Sequence, residues 1–141
     1  MMDNNGFVPS SILLPKKKMD EKECIFCNPK NVILENDNAV AVMDGYPCSD
    51  GHMLIIPKRH ARDFFELTDF EVASMFLLSF DANKYIEKKY HPSGYNIGFN
   101  VGESGGQTIP HCHMHIIPRY DGDVEDPRGG IRGVIPQKQK Y

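Results

Sequence analysis

HCHMHIIPR, residues 111–119, places three of the chain's six histidines at alternating positions. Alternate residues of a β-strand project from the same face of a sheet. A strand over His111–Ile117, ended by Pro118, is therefore predicted to carry its three histidine side chains on one face. The side chains between them, Cys112, Met114 and Ile116, are predicted to face the core. The stretch thus predicts a strand with one chemically reactive face.

The remainder of the chain predicts four further strands and one helix. Apolar runs bounded by turn-forming residues predict strands at residues 32–35, 39–43, 52–57 and 95–101. Thr68 and Glu71 form a capping box, and apolar residues at helical spacing follow it to about Tyr90. A helix of roughly 22 residues, about 33 Å long, is predicted there. The order of elements indicates an α+β fold, an antiparallel sheet of about five strands with one long helix.

The length of 141 residues fits one domain with terminal extensions. Residues 1–22 contain two prolines and a lysine run, and they are predicted to form an N-terminal extension. Compact sequence over residues 23–120 is predicted to form the domain. Residues 121–141, with four glycines and several basic side chains, are predicted to cross the surface as a loop.

Charge and hydropathy argue against two classes of partner. The net charge of −3 gives no bulk electrostatic case for nucleic acid or an anionic membrane surface. No apolar run approaches the roughly 20 residues that span a bilayer. In the N-terminal segment the charges follow a short apolar stretch that prolines interrupt, which is unlike a secretory signal. A cytoplasmic location is therefore expected, where the four cysteines serve as thiols or metal ligands.

The spacing of the histidine run limits what it can bind. Neighbouring histidines of the run lie about 6.6 Å apart along a strand and the outer pair about 13 Å. Two of them could meet at one zinc ion, but all three could not, so at least one serves another purpose. A neutral imidazole can attack phosphorus or accept a proton. The loop GESGGQT, residues 102–108, precedes the run and offers backbone N–H groups to an anion such as phosphate.

CIFC, residues 24–27, is a Cys-x₂-Cys pair of the kind that forms half of a zinc site. The alternative is two buried thiols. A zinc site needs two further ligands, and the candidates are His60 and one histidine of the run. Cys48 and Cys112 are predicted to be plain thiols, and His91 a surface residue.

Several segments together resemble the histidine-triad (HIT) superfamily of nucleotide hydrolases and transferases. Its His-φ-His-φ-His-φ-φ signature, where φ is an apolar residue, is similar to HCHMHII at residues 111–117. The segments CIFC (24–27), VMDGYPCSDGHMLIIPKRH (42–60) and NIGFNVGESGGQTIPHCHMHIIPRY (96–120) are similar in order and spacing. The resemblance covers about residues 23–120, and Cys112 departs from it at a position that is usually aliphatic.

The resemblance implies a nucleotide hydrolase that works through a nucleotidyl-histidine and releases a nucleoside monophosphate. Its substrates would be dinucleoside polyphosphates or nucleoside phosphoramidates of a purine, and its assembly a homodimer formed through the helix and a strand. The implied catalytic residues are the nucleophile His113 with His115, Gln107 and Thr108. The implied nucleotide-binding residues are Asp44, Met43, His52, Asn100 and Gly106. The implied structural zinc is held by Cys24, Cys27, His60 and His111.

Other functions stay open at this point. A non-catalytic nucleotide-binding module on the same fold would bind AMP without turnover. A nucleotidyltransferase or phosphorylase would pass the nucleotidyl group to an acceptor other than water. A nucleic-acid-binding zinc ribbon lacks a second Cys-x₂-Cys pair and a basic aromatic surface. In the tail, Arg128 and Arg132 could reach a substrate phosphate, including one bound to a partner subunit, or could simply be solvated.

Overall fold

A computed structural model describes residues 23–141, and the predicted N-terminal extension lies outside these residues. One five-stranded antiparallel sheet forms the centre of the fold, with the strand order β1-β2-β3-β5-β4. The strands are β1 (Leu34–Glu35), β2 (Ala39–Met43), β3 (Met53–Pro57), β4 (Gly94–Phe99) and β5 (Met114–Arg119). With α1 (Asp69–Tyr90), the one α-helix within residues 23–141, they form the predicted α+β architecture.

Both faces of strands β2 and β3 are buried, and alternation along these strands separates the two layers. On the face toward α1 the buried side chains include Ala39, Ala41, Met53 and Ile55. Small alanines on β2 let the helix approach the sheet closely. The intervening side chains of the two strands pack in a second apolar cluster with the 24–27 segment; they are Val40, Val42, Leu54 and Ile56. The N-terminal part of the domain thus closes the face that lies opposite the helix.

Helix α1 has the predicted length of 22 residues and the predicted start. The Thr68 hydroxyl accepts a hydrogen bond from the Glu71 backbone N–H at 3.2 Å, and the Thr68 N–H donates to the Glu71 carboxylate at 2.9 Å. The helix ends at Tyr90, its C-cap His91 has a left-handed φ of 55°, and Pro92 follows. Its buried stripe consists of Glu71, Met75, Leu78, Ala82 and Ile86.

Strand β5 differs from the predicted strand over His111–Ile117. Residues 111–113 lie outside the sheet ladder because the Cys112 N–H donates to the Ala61 carbonyl at 2.7 Å, in the loop after β3. Pro118 does not end β5, which continues to Arg119. Strand β3 pairs with β5 only as far as Ile116, so at Pro118 the strand has one neighbour, and proline is tolerated at such an edge.

The remaining boundaries shift by a few residues. Strand β1 has two residues instead of the predicted four, β3 starts one residue later, and β4 covers 94–99 instead of 95–101. The prediction of an entirely loop-like tail is wrong, because two short 3₁₀ helices occupy Gly130–Val134 and Pro136–Lys138. Among the described residues, no helix is long and apolar enough to cross a membrane.

Candidate functional site

The four predicted metal ligands lie close together, with Cys24 in the second apolar cluster and Cys27 packed against it. Cys24, Cys27, His60 and His111 each offer one ligand atom, and all four atoms lie within 4.8 Å of one another. His111 Nδ1 lies 3.4 Å from Cys24 Sγ, 3.5 Å from Cys27 Sγ and 3.2 Å from His60 Nδ1. The distance between Cys27 Sγ and His60 Nδ1 is 3.1 Å. This cluster could hold a metal ion.

The donor set and its spacing fit tetrahedral zinc. Zinc–sulfur bonds of about 2.3 Å and zinc–nitrogen bonds of about 2.0–2.1 Å imply S···N and N···N separations of about 3.3–3.6 Å around a tetrahedral ion. The four separations between 3.1 and 3.5 Å are close to these values. His111 Nε2 lies 2.9 Å from the Pro57 carbonyl oxygen. With the proton on Nε2, Nδ1 presents its lone pair toward the cysteine cluster, which is the usual outer-shell arrangement of a histidine ligand.

His113 is oriented by its neighbours. Its Nδ1 lies 2.8 Å from the backbone carbonyl oxygen of His111, which can only accept, so Nδ1 carries the proton. Its Nε2 is therefore unprotonated in the neutral ring. The Phe26 ring packs against the His113 ring at a centroid distance of 5.0 Å and against the His111 ring at 6.0 Å. The His113 residue is only 8% exposed, so packing and the hydrogen bond together hold one orientation.

A second cluster joins the loop before β3 to strand β5. His52 Nε2 lies 3.0 Å from His115 Nδ1 and 3.4 Å from Asp44 Oδ2. The Cys48 N–H donates to His52 Nδ1 at 3.2 Å, which places the His52 proton on Nε2, where it can be donated to His115 Nδ1. His115 consequently carries its own proton on Nε2. A row of hydrogen bonds thus sets the tautomers of two histidines.

Burial makes both of these imidazoles weak bases. It lowers the pKa of His52 against a partly compensating attraction from Asp44. It also lowers the pKa of His115, to about 4, and the neighbouring imidazoles of His113 and His52 lower it further. Both rings are neutral at pH 7, so each has one nitrogen that donates and one that accepts.

The glycine loop brings its predicted residues to the surface near the start of β5. Thr108, Gly106 and Asn100 are exposed, the last directly after β4. The Gln107 amide donates to the backbone carbonyls of Arg62 at 2.6 Å and Ile109 at 3.0 Å, and its oxygen accepts from Gly102 N–H at 3.0 Å. Gln107 therefore braces the loop in this structure, and contact with a phosphate requires an exchange of these hydrogen bonds.

The predicted ribose and base contacts lie at the end of β2. Met43 is its last residue and packs partly against the main core, while Asp44 follows with 15% of its side chain exposed. Asp44 Oδ1 accepts from the Tyr46 N–H at 2.8 Å, so the carboxylate is held by its own turn. Its Oδ2 faces the two histidines of the second cluster. An acceptor held in this way suits a vicinal diol.

Sequence reasoning missed two contributors. Phe26 lies between the two cysteines of CIFC, and its ring contacts both His111 and His113. Cys48 is a free thiol, as predicted, and its Sγ also lies 3.5 Å from His52 Nδ1. The Phe26 contacts join residues that are distant in sequence, so no local spacing indicates them, whereas Cys48 lies only four residues before His52. Cys112 fits its prediction, since burial raises the pKa of its thiol to about 12.

The tail arginines are engaged with the tail itself. Arg132 donates to the Lys138 carbonyl at 3.0 Å, and its guanidinium lies 4.9 Å from the centroid of the Tyr141 ring. The backbone of Arg128 bonds to Asp126 and to the Gln139 side chain. His91 is exposed at the end of α1, as predicted.

Comparison with known proteins agrees with this geometry. The sequence model of the HIT domain matches residues 26–122. An uncharacterized HIT-like protein of Methanocaldococcus jannaschii is 39% identical over 108 residues, which are 72% of this chain and 83% of that protein. An AP-4-A phosphorylase of Mycobacterium tuberculosis is 32% identical over 132 residues, 92% of this chain and 67% of that protein.

A solved structure shows the same fold with metal. The zinc-bound histidine-triad family protein of Mycobacterium smegmatis superposes with a TM-score of 0.68 at 31% identity, over 76% of this chain and 82% of that one. With the matched domain, the sheet and the histidine run in agreement, the chain belongs to the HIT family.

Proposed function

We propose that the protein is a nucleotide hydrolase in which His113 becomes covalently nucleotidylated. The observation that carries the proposal is the 2.8 Å contact between His113 Nδ1 and the His111 carbonyl oxygen. It leaves the Nε2 lone pair of a neutral, immobilised imidazole available for attack, without a separate base to remove a proton. A non-catalytic binding module has no use for a ring held in this tautomer.

The reaction then proceeds in two displacements at the α-phosphorus. His113 Nε2 forms a bond to phosphorus while the bond from phosphorus to the bridging oxygen or amide nitrogen breaks, and the leaving group takes up a proton. Water next forms a P–O bond, the P–N bond to His113 breaks, and the nucleoside monophosphate is released with the loss of one proton. His115, with its proton on Nε2, is suited to donate toward the leaving group or the phosphoryl oxygens.

The neighbouring residues bind the nucleotide in this proposal. The Asp44 carboxylate accepts from the ribose hydroxyls, and the base packs near Met43. The phosphates are surrounded by residues in or beside the glycine loop, namely Asn100, Gly106, Gln107 and Thr108. Backbone and side-chain donors there stabilise the charge on the phosphates. A purine nucleotide joined to a second nucleotide through a polyphosphate, or to an amine through phosphorus, is the substrate class.

Structural zinc at the cluster of Cys24, Cys27, His60 and His111 is part of the proposal. Its support is the tetrahedral spacing of the four ligand atoms. The ion joins the N-terminal segment to the residues before β5 and so supports the orientation of His113. Thiolate ligands require reduced cysteines, which is consistent with a cytoplasmic location.

A homodimer formed through α1 and β4 completes the proposal. Large apolar side chains lie on the outer side of the helix, where Phe70, Leu77 and Phe80 are 80%, 61% and 65% exposed. Strand β4 is an edge strand of the sheet and carries the exposed Ile97. Exposed apolar surface on a helix and an edge strand each favour association with a second copy.

The experiment that tests the function combines turnover with detection of the intermediate. Wild-type protein is mixed with diadenosine polyphosphate or adenosine phosphoramidate and quenched rapidly, and intact-protein mass spectrometry should show one added nucleotidyl group. His113→Asn should lose at least about a thousandfold in turnover while it still binds AMP. His91→Asn is the matched control, because asparagine tolerates the left-handed backbone at that position. Near-normal turnover of His113→Asn would exclude the mechanism.

The second candidate function is phosphorolysis, which the name of the mycobacterial relative favours. In that reaction, inorganic phosphate instead of water accepts the nucleotidyl group from His113. The products distinguish the two functions: a nucleoside monophosphate indicates hydrolysis, and a nucleoside diphosphate that forms only with added phosphate indicates phosphorolysis.

A further inference from the structure

A second group of metal-type ligands lies outside the cysteine cluster. Asp44 Oδ2, His52 Nε2 and His115 Nδ1 lie within 4.8 Å of one another. The separations are 3.0 Å between the two nitrogens, 3.4 Å from Asp44 Oδ2 to His52 and 4.0 Å from Asp44 Oδ2 to His115. Two imidazoles and one carboxylate form a ligand set used by zinc and other divalent transition metals.

The size of this triangle matches a transition-metal ion. A point equidistant from atoms separated by 3.0, 3.4 and 4.0 Å lies about 2 Å from each, near the zinc–nitrogen and zinc–oxygen bond lengths. The three ligand atoms therefore share a common point at bonding distance from each of them. The Asp44 and His115 side chains are 15% and 21% exposed, so solvent can supply a fourth ligand.

Metal binding changes the hydrogen bonding of His52. Coordination through Nε2 requires the proton on Nδ1, where the ring now accepts from the Cys48 N–H. An acceptor for that proton is already in place, because Cys48 Sγ lies 3.5 Å from His52 Nδ1. Cys48 is an exposed residue, so water can satisfy its N–H. The Cys48 sulfur would thus occupy the outer-shell position that metal-bound histidines usually have.

We infer that Asp44, His52 and His115 form a second, open site for a divalent transition metal such as Zn²⁺, and that its occupation excludes nucleotide. The exclusion rests on the proposed function, in which the Asp44 carboxylate accepts from the ribose. An ion bonded to Asp44 Oδ2 takes that acceptor and removes the hydrogen bond from His52 to His115. The same metal that stabilises the fold at the cysteine cluster would inhibit the protein here.

A metal titration of the untagged, full-length protein tests the site directly. Protein that already holds one zinc per chain is titrated with Co²⁺, and bound metal is counted by dialysis and elemental analysis. One additional equivalent is expected, with visible absorption from cobalt but no rise in thiolate-to-cobalt charge transfer. If the protein binds no additional equivalent of cobalt, the proposal is wrong. A second equivalent with thiolate absorption overturns the ligand set, because a cysteine would then be a direct ligand.

Variants locate the second equivalent. His52→Asn and Asp44→Asn should weaken it by about tenfold or more, since even outer-shell changes cost metal sites 10–100-fold. His91→Asn and Asp50→Asn are the controls, with an exposed histidine and an exposed carboxylate of the same loop as Asp44. Retention of the first zinc ion shows that a variant is folded. If His52→Asn does not fold, the conclusion rests on Asp44→Asn, because Asp44 is partly exposed. Unchanged affinity in both variants contradicts the assignment.

Competition with nucleotide completes the test. Excess AMP should release the second equivalent and leave the first, and added Zn²⁺ should raise the apparent KM without changing kcat. Simultaneous binding of AMP and the second metal ion overturns the exclusion. If no second metal binds while His113 is still nucleotidylated, this inference is wrong and the proposed function stands. If the second metal binds but no nucleotidyl-histidine forms, the proposed function fails separately.

Discussion

His52 Nε2 lies 3.0 Å from His115 Nδ1, and this contact joins the loop before β3 to strand β5. Because the Cys48 N–H donates to the other nitrogen of His52, the ring acts as a donor toward His115. His52 thereby decides which nitrogen of His115 carries a proton. We therefore treat His52 as a positioning residue for His115, 63 residues further along the chain.

His52→Asn should slow the reaction in a way that depends on the leaving group. Without the His52 donor, His115 is free to adopt the other tautomer and loses its proton on Nε2 for part of the time. Adenylates with poor, basic leaving groups should lose more kcat/KM than those with good leaving groups, because only the former need the proton. The measurement is a series of AMP esters that differ in leaving-group pKa. An unchanged dependence on leaving group would contradict the positioning role.

Removal of the structural metal should lower stability more than it changes chemistry. A ligand that binds only the folded state stabilises it by about 4 kcal/mol at a free concentration a thousandfold above its Kd. Cys27→Ser, which removes one of the four ligand atoms, should therefore lose zinc and unfold at lower urea concentration. Cys48→Ser is the control, because Cys48 is not in that cluster. If metal-free protein unfolded at the same urea concentration as zinc-loaded wild-type protein, this result would argue against structural zinc.

Gly51 and Gly45 form a matched pair in the loop between β2 and β3. Gly51 has a φ of 87°, and a Cβ there would lie 2.9 Å from the Tyr90 ring, whereas Gly45 has nothing within 4 Å. Gly51→Ala should cost about 1–3 kcal/mol and disturb the adjacent His52, while Gly45→Ala should be close to neutral. Urea unfolding and kcat/KM report the two effects. Equal stability of the two variants would show that the loop adapts without strain.

The start of α1 should contribute to acid sensitivity. Hydrogen bonds from Arg59 hold the pKa of Glu71 below its usual value of 4.5. A lowered carboxyl pKa stabilises the folded state above about pH 4.5, and that stabilisation is lost as the pH falls through the folded-state value. Glu71→Gln should therefore cost about 1–2 kcal/mol near neutral pH and progressively less below pH 4.5.

Urea unfolding at a series of pH values measures this difference. Asp69→Asn, in the same first turn, is the comparison. A constant difference between wild type and Glu71→Gln from pH 7 to pH 3 would contradict the assignment.

The outer face of α1 should control oligomeric state. Phe70→Ser combined with Phe80→Ser removes apolar surface without touching the buried stripe, so it should convert a dimer to a monomer that keeps its fold. Lys88→Ser, on the exposed polar end of the helix, should have no effect. Analytical ultracentrifugation gives the mass of each species. A monomeric wild-type protein would remove the basis for the homodimer.

Local patterns in the sequence determined the helix and the two faces of the histidine run. Thr68 and Glu71 specify the start of α1 because a capping box satisfies backbone groups only three residues apart. The apolar spacers Cys112 and Met114 are buried on the helix side, as alternation predicts. Residues 111–113 lie outside the ladder, yet Cys112 is still buried in the same cluster as Met114. The resemblance to the HIT superfamily named the four residues that the fold then brings together.

Only the tertiary structure decided which histidine has which partner. The sequence places three similar imidazoles in one run, but His111 meets Cys24 and Cys27, while His115 meets His52. These contacts join residues 63 to 87 positions apart, and their geometry depends on sheet register and loop closure. Hydrogen-bond direction follows from distances of about 3 Å, which no local pattern encodes. The sequence therefore determined that three imidazoles lie in one run, and the fold determined the tautomer and neighbour of each ring.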